Sequence, residues 1–121
     1  MKQTIDDYLQ AKIGAEKDFQ PDWEAHRYLI RGKMFAMHAT DKNGKEILTL
    51  KLLPEHGEEL RELHKDKIIA GYYMNKTHWN SIYLTENLPD ELIKKMIDES
   101  YRLILGGFSK KVQREIMEGE V

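Results

Sequence analysis

The chain has 121 residues and no cysteine. That absence excludes a disulfide framework, a thiolate metal site and a thiol nucleophile, and it fits a reducing compartment. No apolar run approaches the roughly 20 residues needed to cross a bilayer. The opening Met1-Lys2-Gln3-Thr4-Ile5-Asp6-Asp7 is too acidic and polar to read as a signal peptide. Also missing are a Gly-x-Ser-x-Gly elbow, a Gly-x-x-x-x-Gly-Lys phosphate loop and a Gly-x-Gly-x-x-Gly turn. Internal repeats and low-complexity stretches are absent as well.

What is present is ordinary soluble-protein composition, 40% hydrophobic and 33% charged. The length suits a single domain, 1–121, with one core, expected in the cytoplasm with no membrane partner. The net charge of −2 is unevenly spread: residues 26–51 carry a net +4 and 61–85 a net +2, whereas 1–25 carry −3. The positive segments are the ones that read as strands, so a basic sheet surface is conceivable at a pI near 6.2. Scattered solvated lysines on strand edges would give the same count.

Thr4 reads as the cap of a first helix, with Ile5, Tyr8, Leu9 and Ile13 on one face and Gly14 as its stop. Residues 15–20 form a short candidate strand before Pro21, and 26–31 and 33–40 two more around Gly32. Asp41-Lys42-Asn43-Gly44-Lys45 is a hairpin turn that pairs 34–40 with 46–52. Pro54 opens a second helix, expected to be short because Gly57 weakens it. Strands follow at 67–73 and 79–84. A long helix starts at Pro89 with Leu92, Ile93, Met96, Ile97, Tyr101 and Ile104 as its buried stripe, and Ser109 caps a last short helix. The order predicts an α+β fold, with helices packed on one face of an antiparallel sheet and the other face partly open.

Alternation sends Leu48, Leu50 and Leu52 toward the helices and Lys51 outward, with Lys33 and Trp79 as its outward neighbours. Lysines interleaved with an aromatic suit phosphates and stacked bases, although Trp79 reads first as a core tryptophan. The dense block Asn75-Lys76-Thr77-His78-Trp79-Asn80 is the richest polar stretch, and it reads either as recognition or as side chains tying an irregular segment to the backbone. His26, His38, His56, His64 and His78 show no His-x-x-x-His pair, so no metal site is expected. Ser81 and Ser100 lack a partnered base. Ser100, on the buried side of the long helix, is expected to bond a backbone carbonyl. No catalytic residue and no cofactor is assigned.

Taken together, several segments resemble the MmcQ/YjbR family of small bacterial proteins. They are Asp18-Phe19-Gln20-Pro21-Asp22-Trp23, Gly32-Lys33-Met34-Phe35-Ala36, Leu50-Lys51, Gly71-Tyr72, Asn75-Lys76-Thr77-His78-Trp79-Asn80 and Ser100-Tyr101. The resemblance implies a fold of helix, three strands, helix, two strands and C-terminal helix, similar to secretion chaperones with an added helix. It also implies a double-wing DNA-binding role. The expected DNA-contacting residues are Arg31, Lys33, Lys51, Lys76, His78, Trp79 and Asn80. The alternative is a chaperone-like module that binds protein or peptide without nucleic acid, as a monomer or weak homodimer.

Overall fold

The computed structural model describes residues 1–119, so the expected 1–121 domain runs two residues beyond the described part. In chain order the elements are α1 (Gln3–Gln10), β1 (Ala15–Gln20), β2 (Ala25–Ile30), β3 (Lys33–Thr40) and β4 (Glu46–Lys51). There follow α2 (Pro54–Leu63), β5 (Ile68–Ala70), β6 (Trp79–Tyr83), α3 (Asp90–Leu105) and α4 (Lys110–Met117). All six strands belong to one antiparallel sheet in the order β1-β2-β3-β4-β6-β5. The α+β architecture read from the sequence is therefore present, with four strands before α2 because 15–20 pairs as an edge strand.

The apolar periodicity explains which side is covered. Leu48, Leu50 and Ile82 from the sheet, Ile5 and Leu9 from α1, and Leu60 from α2 join one buried cluster. Ile93, Met96, Ile97 and Tyr101 of α3 and Ile116 of α4 complete it. Each fully buried aliphatic side chain contributes about 1.5–3 kcal/mol. Helix α3 crosses β3 and β4, while α1 lies against α3 and β1. Polar pins hold the layers in register: the Tyr8 hydroxyl donates to Asp98 at 2.6 Å, Tyr28 to Asp6 at 2.6 Å, and Tyr101 to the Ile13 carbonyl at 2.6 Å.

Strict alternation fails at one place. Tyr28 pairs with Ala36 and Leu29 with Met34, so Phe35 is an extra residue on β3. This bulge turns both Phe35 and Ala36 into the main core and sends Met37 to the opposite face. It also places Lys33 across from Ile30, on the helix side, and thus away from Lys51. The expectation that Lys33 and Lys51 share the outer face is overturned by that single inserted residue, since a one-residue shift flips faces. The broken ladder leaves the Phe35 carbonyl and the Lys51 N–H apart, and Ser100 closes the gap. Its hydroxyl donates to Phe35 O at 2.6 Å and accepts from Lys51 N at 2.9 Å.

Two local expectations need correction. Helix α1 begins at Gln3, two residues ahead of the start that a Thr4 cap would give, with Lys2 in the cap position and no side-chain cap bond. The strand expected over 67–73 is only Ile68–Ala70, because the chain leaves the sheet at Gly71. Elsewhere the turn chemistry holds. Asp41 Oδ1 accepts from the Asn43 and Lys45 N–H groups, both at 2.9 Å, and Gly44 takes φ +81°. Ser109 caps α4 by accepting from Val112 N at 3.2 Å. Among the described residues no helix is long and apolar enough to cross a membrane.

Candidate functional site

The face opposite the helices is only partly open, because residues 71–78 fold back across it. Gly71 N donates to Trp79 O at 2.6 Å, and a Cβ on Gly71 would lie 2.8 Å from the Trp79 Cβ and carbonyl oxygen. Only glycine permits that backbone approach. Tyr72 N donates to Ser81 Oγ at 3.0 Å, and Ser81 in turn shares a 2.7 Å hydrogen bond with Thr49; both hydroxyls are fully buried. The two tyrosines moor the segment to the β3–β4 hairpin: Tyr72 Oη accepts from Lys42 N at 3.0 Å and Tyr73 Oη donates to Thr40 O at 3.1 Å. Their rings meet edge to face, 4.4 Å between centroids.

The polar block of 75–80 is the turn that ends this segment. Asn75 Oδ1 accepts from Thr77 N at 2.9 Å and His78 N at 3.2 Å, and Lys76 Nζ donates to Gly71 O at 2.8 Å. The Asn80 amide donates to His78 O at 3.2 Å, while its oxygen accepts from Arg61 Nη1. Asn80 is fully buried. A Cβ on Gly57 would lie 2.9 Å from Asn80 Oδ1, so the helix-weakening Gly57 is what lets α2 approach β6.

Between this segment and the β1–β2 turn runs a groove of about 450 Å³, lined by Asp22, Trp23, Ala25, Met37, Ala39, Tyr73 and Met74. Its floor of Ala25, Met37 and Ala39 is buried, whereas Trp23 and Tyr73 on its walls are 55% and 66% exposed. Arg27 lies beside it, its guanidinium 5.6 Å from the Trp23 ring centroid and held by Asp18 through bonds of 2.9 and 2.6 Å. That guanidinium keeps the Asp18 carboxyl below its ordinary pKa. Glu24 and Tyr73 adopt φ +51° and +69°, left-handed conformations that disfavour side chains bearing a Cβ. Backbone strain is thus present at Tyr73 on one wall of the groove and in the β1–β2 turn beside the other.

The seven residues singled out in the sequence do not form one surface. Lys51 and Trp79 sit opposite each other on β4 and β6, on the outer face, and His78 and Lys76 are exposed next to them. Arg31, in the β2–β3 turn at φ +48°, faces Glu115 at 3.6 Å. Lys33 lies on the helix side with its ammonium 4.9 Å from the Phe108 ring centroid. Asn80 is buried beneath α2, packed against Gly57 and bonded to Arg61. The groove residues Trp23, Tyr73, Met37 and Met74 were not singled out as a site, because they come from three separate segments. In the sequence, Trp23 stands out only as the end of the family-like segment Asp18-Phe19-Gln20-Pro21-Asp22-Trp23.

Other polar clusters have structural roles. Glu99 accepts from His56 Nδ1 at 2.6 Å and from Leu53 N at 2.9 Å, at the entry to α2. Glu46 accepts from the Met1 ammonium at 2.8 and 2.7 Å and lies 2.9 Å from His38 Nε2. Among the described residues no three His, Cys, Asp or Glu side chains are grouped to hold a metal ion.

These features define a class: a small α+β protein with one antiparallel sheet, helices on one side and a loop-framed groove on the other. The chain belongs to the YjbR family, whose model matches residues 10–103. It is 37% identical over 95 residues to the uncharacterised protein YjbR of Escherichia coli K12, covering 78% of this chain and 79% of the relative. It is 28% identical over 115 residues to the uncharacterised YyaQ of Bacillus subtilis, covering 84% and 96%. A crystal structure of a Deinococcus radiodurans protein with the family-model domain DUF419 superposes with a TM-score of 0.82 at 29% identity, over 95% of this chain and 85% of that one.

Proposed function

We propose that the chain is a non-catalytic binding protein whose outer sheet face receives an exposed stretch of polypeptide. The observation that carries this reading is the groove between Trp23 and Tyr73: half-exposed aromatic walls over a buried floor of small and methionine side chains. Aromatic residues concentrate binding energy at protein interfaces, and methionine adapts to varied apolar partners. The Thr49 and Ser81 hydroxyls on the outer face are buried and hydrogen-bonded to each other, so they offer no exposed nucleophile. A reducing cytoplasm is part of this reading, and a chain without cysteine is compatible with it.

DNA is the second reading, and the pairing of Lys51 with Trp79 beside Lys76 and His78 favours it. Phosphate binding needs several cations on one surface. Here Lys33 faces the other side, Lys76 is engaged with Gly71 O, and Arg27 at the groove is neutralised by Asp18. The polypeptide reading is therefore the stronger.

A labelled peptide panel and a labelled mixed-sequence duplex, titrated at about 50 mM salt, separate the two. Expected is peptide binding that survives a rise to about 200 mM salt and is lost in Tyr73→Ala. Duplex binding that collapses over that salt range and weakens in Lys51→Ala and Lys76→Ala would replace the polypeptide reading with the DNA one.

A further inference from the structure

The groove has a charge character as well as an apolar one. Asp22 lines it, and among the described residues no cation lies within ion-pair distance of that carboxylate. Glu24 follows directly after Trp23 and is exposed. Arg27 is not among the lining residues, and its guanidinium, 5.6 Å from the Trp23 ring centroid, is paired with Asp18. Two aromatic rings and a carboxylate therefore border one opening whose floor is aliphatic and thioether. A simple apolar pocket has no use for the carboxylate, and a phosphate site would be repelled by it.

Resting on the reading of the groove as a polypeptide site, we infer that it recognises a lysine or arginine side chain of the partner. The aliphatic stem would lie along Met37, Ala39 and Met74. The cationic head would sit between Trp23, Tyr73 and Asp22. Aromatic faces attract cations through their quadrupole, and the attraction grows when the head group is partly desolvated. Arginine and lysine stems bury well on apolar surface while the charge stays near water. The same protein already places one cation over Trp23, that of Arg27, at 5.6 Å from the ring centroid. The positive φ of Tyr73 and Glu24 adds support, because strained backbone is retained where it positions a working side chain.

The test uses the full chain labelled at its methionine methyl groups, with Met37 and Met74 as reporters inside the groove. Three blocked tripeptides are titrated: alanine-lysine-alanine, alanine-arginine-alanine, and the neutral isostere alanine-norleucine-alanine. Expected are saturating shifts of Met37 and Met74 with both cationic peptides, and affinity about fivefold lower for norleucine. Asp22→Asn should weaken the cationic peptides about fivefold and leave norleucine unchanged, and Trp23→Leu should weaken the cationic peptides too. Norleucine binding as tightly as lysine, or cationic affinities unchanged in both variants, overturns the cation assignment while the polypeptide reading stands. No shift of Met37 or Met74 with any of the three, in a chain whose other methyl signals show it folded, overturns both.

Discussion

Ser100 shows how one side chain can decide a sheet's geometry. The bulge at Phe35 leaves a carbonyl and an N–H without their ladder partners, and the Ser100 hydroxyl serves both from α3. A buried polar group stripped of its partner costs about 1–3 kcal/mol. Ser100→Ala leaves two such groups, so urea unfolding should show a loss of about 2 kcal/mol or more. A loss below about 0.5 kcal/mol would mean that water or a relaxed ladder replaces the hydroxyl. The neighbouring Tyr101 is equally structural: its ring stands edge-on to Phe35 at 5.5 Å, and its hydroxyl fixes the loop after α1. The Ser100-Tyr101 pair thus serves the fold, tying α3 to β3, β4 and the loop after α1.

At the scale of elements, most of the layout is legible in the sequence. The Asp41–Lys45 turn, the stripe on α3 and the Ser109 cap each follow from a local rule that the folded chain obeys. The bulge is not legible, because an inserted residue in an apolar strand leaves the composition unchanged while flipping every face beyond it. The groove is hidden for a different reason: Trp23, Met37 and Tyr73 are far apart in the chain, and only the sheet order and the fold-back of 71–78 bring them together. The block 75–80 stands out in the sequence for its polarity, yet most of that polarity serves the turn itself.

The β3–β4 hairpin also carries a pH dependence. Burial is the largest influence on His38 and lowers its pKa, outweighing the opposing pull of Glu46; the Met1 ammonium and His26 add to the lowering. The folded state then binds fewer protons than the unfolded state once the pH drops through about 6.5, so stability falls as the medium is acidified there. Glu46 has its pKa lowered despite burial, by the Met1 ammonium and His38, so its contribution is present above the ordinary carboxylate range and is lost at lower pH. Thermal unfolding from pH 7.5 to 5.5 should therefore show a declining melting temperature, with a shallower decline in His38→Gln. Equal slopes in the two proteins would show that His38 is not the titrating group.

For the whole molecule, the two sides of the sheet have different chemistry. The helix side uses its carboxylates internally, in pairs such as Lys17 with Asp6 and Lys12 with Asp98. The outer side is closed at its centre by the Tyr72–Ser81–Thr49 bonds and has openings at the groove and around Lys51. The chain's two tryptophans happen to divide these openings, with Trp23 on the groove wall and Trp79 opposite Lys51. Their indole N–H signals in a nitrogen-15 NMR spectrum therefore report on each surface separately. Titration with a saturating lysine- and arginine-containing peptide should move the Trp23 signal and leave Trp79 in place. A Trp79 signal that moves while Trp23 stays fixed, whether with peptide or with duplex DNA, would contradict the account.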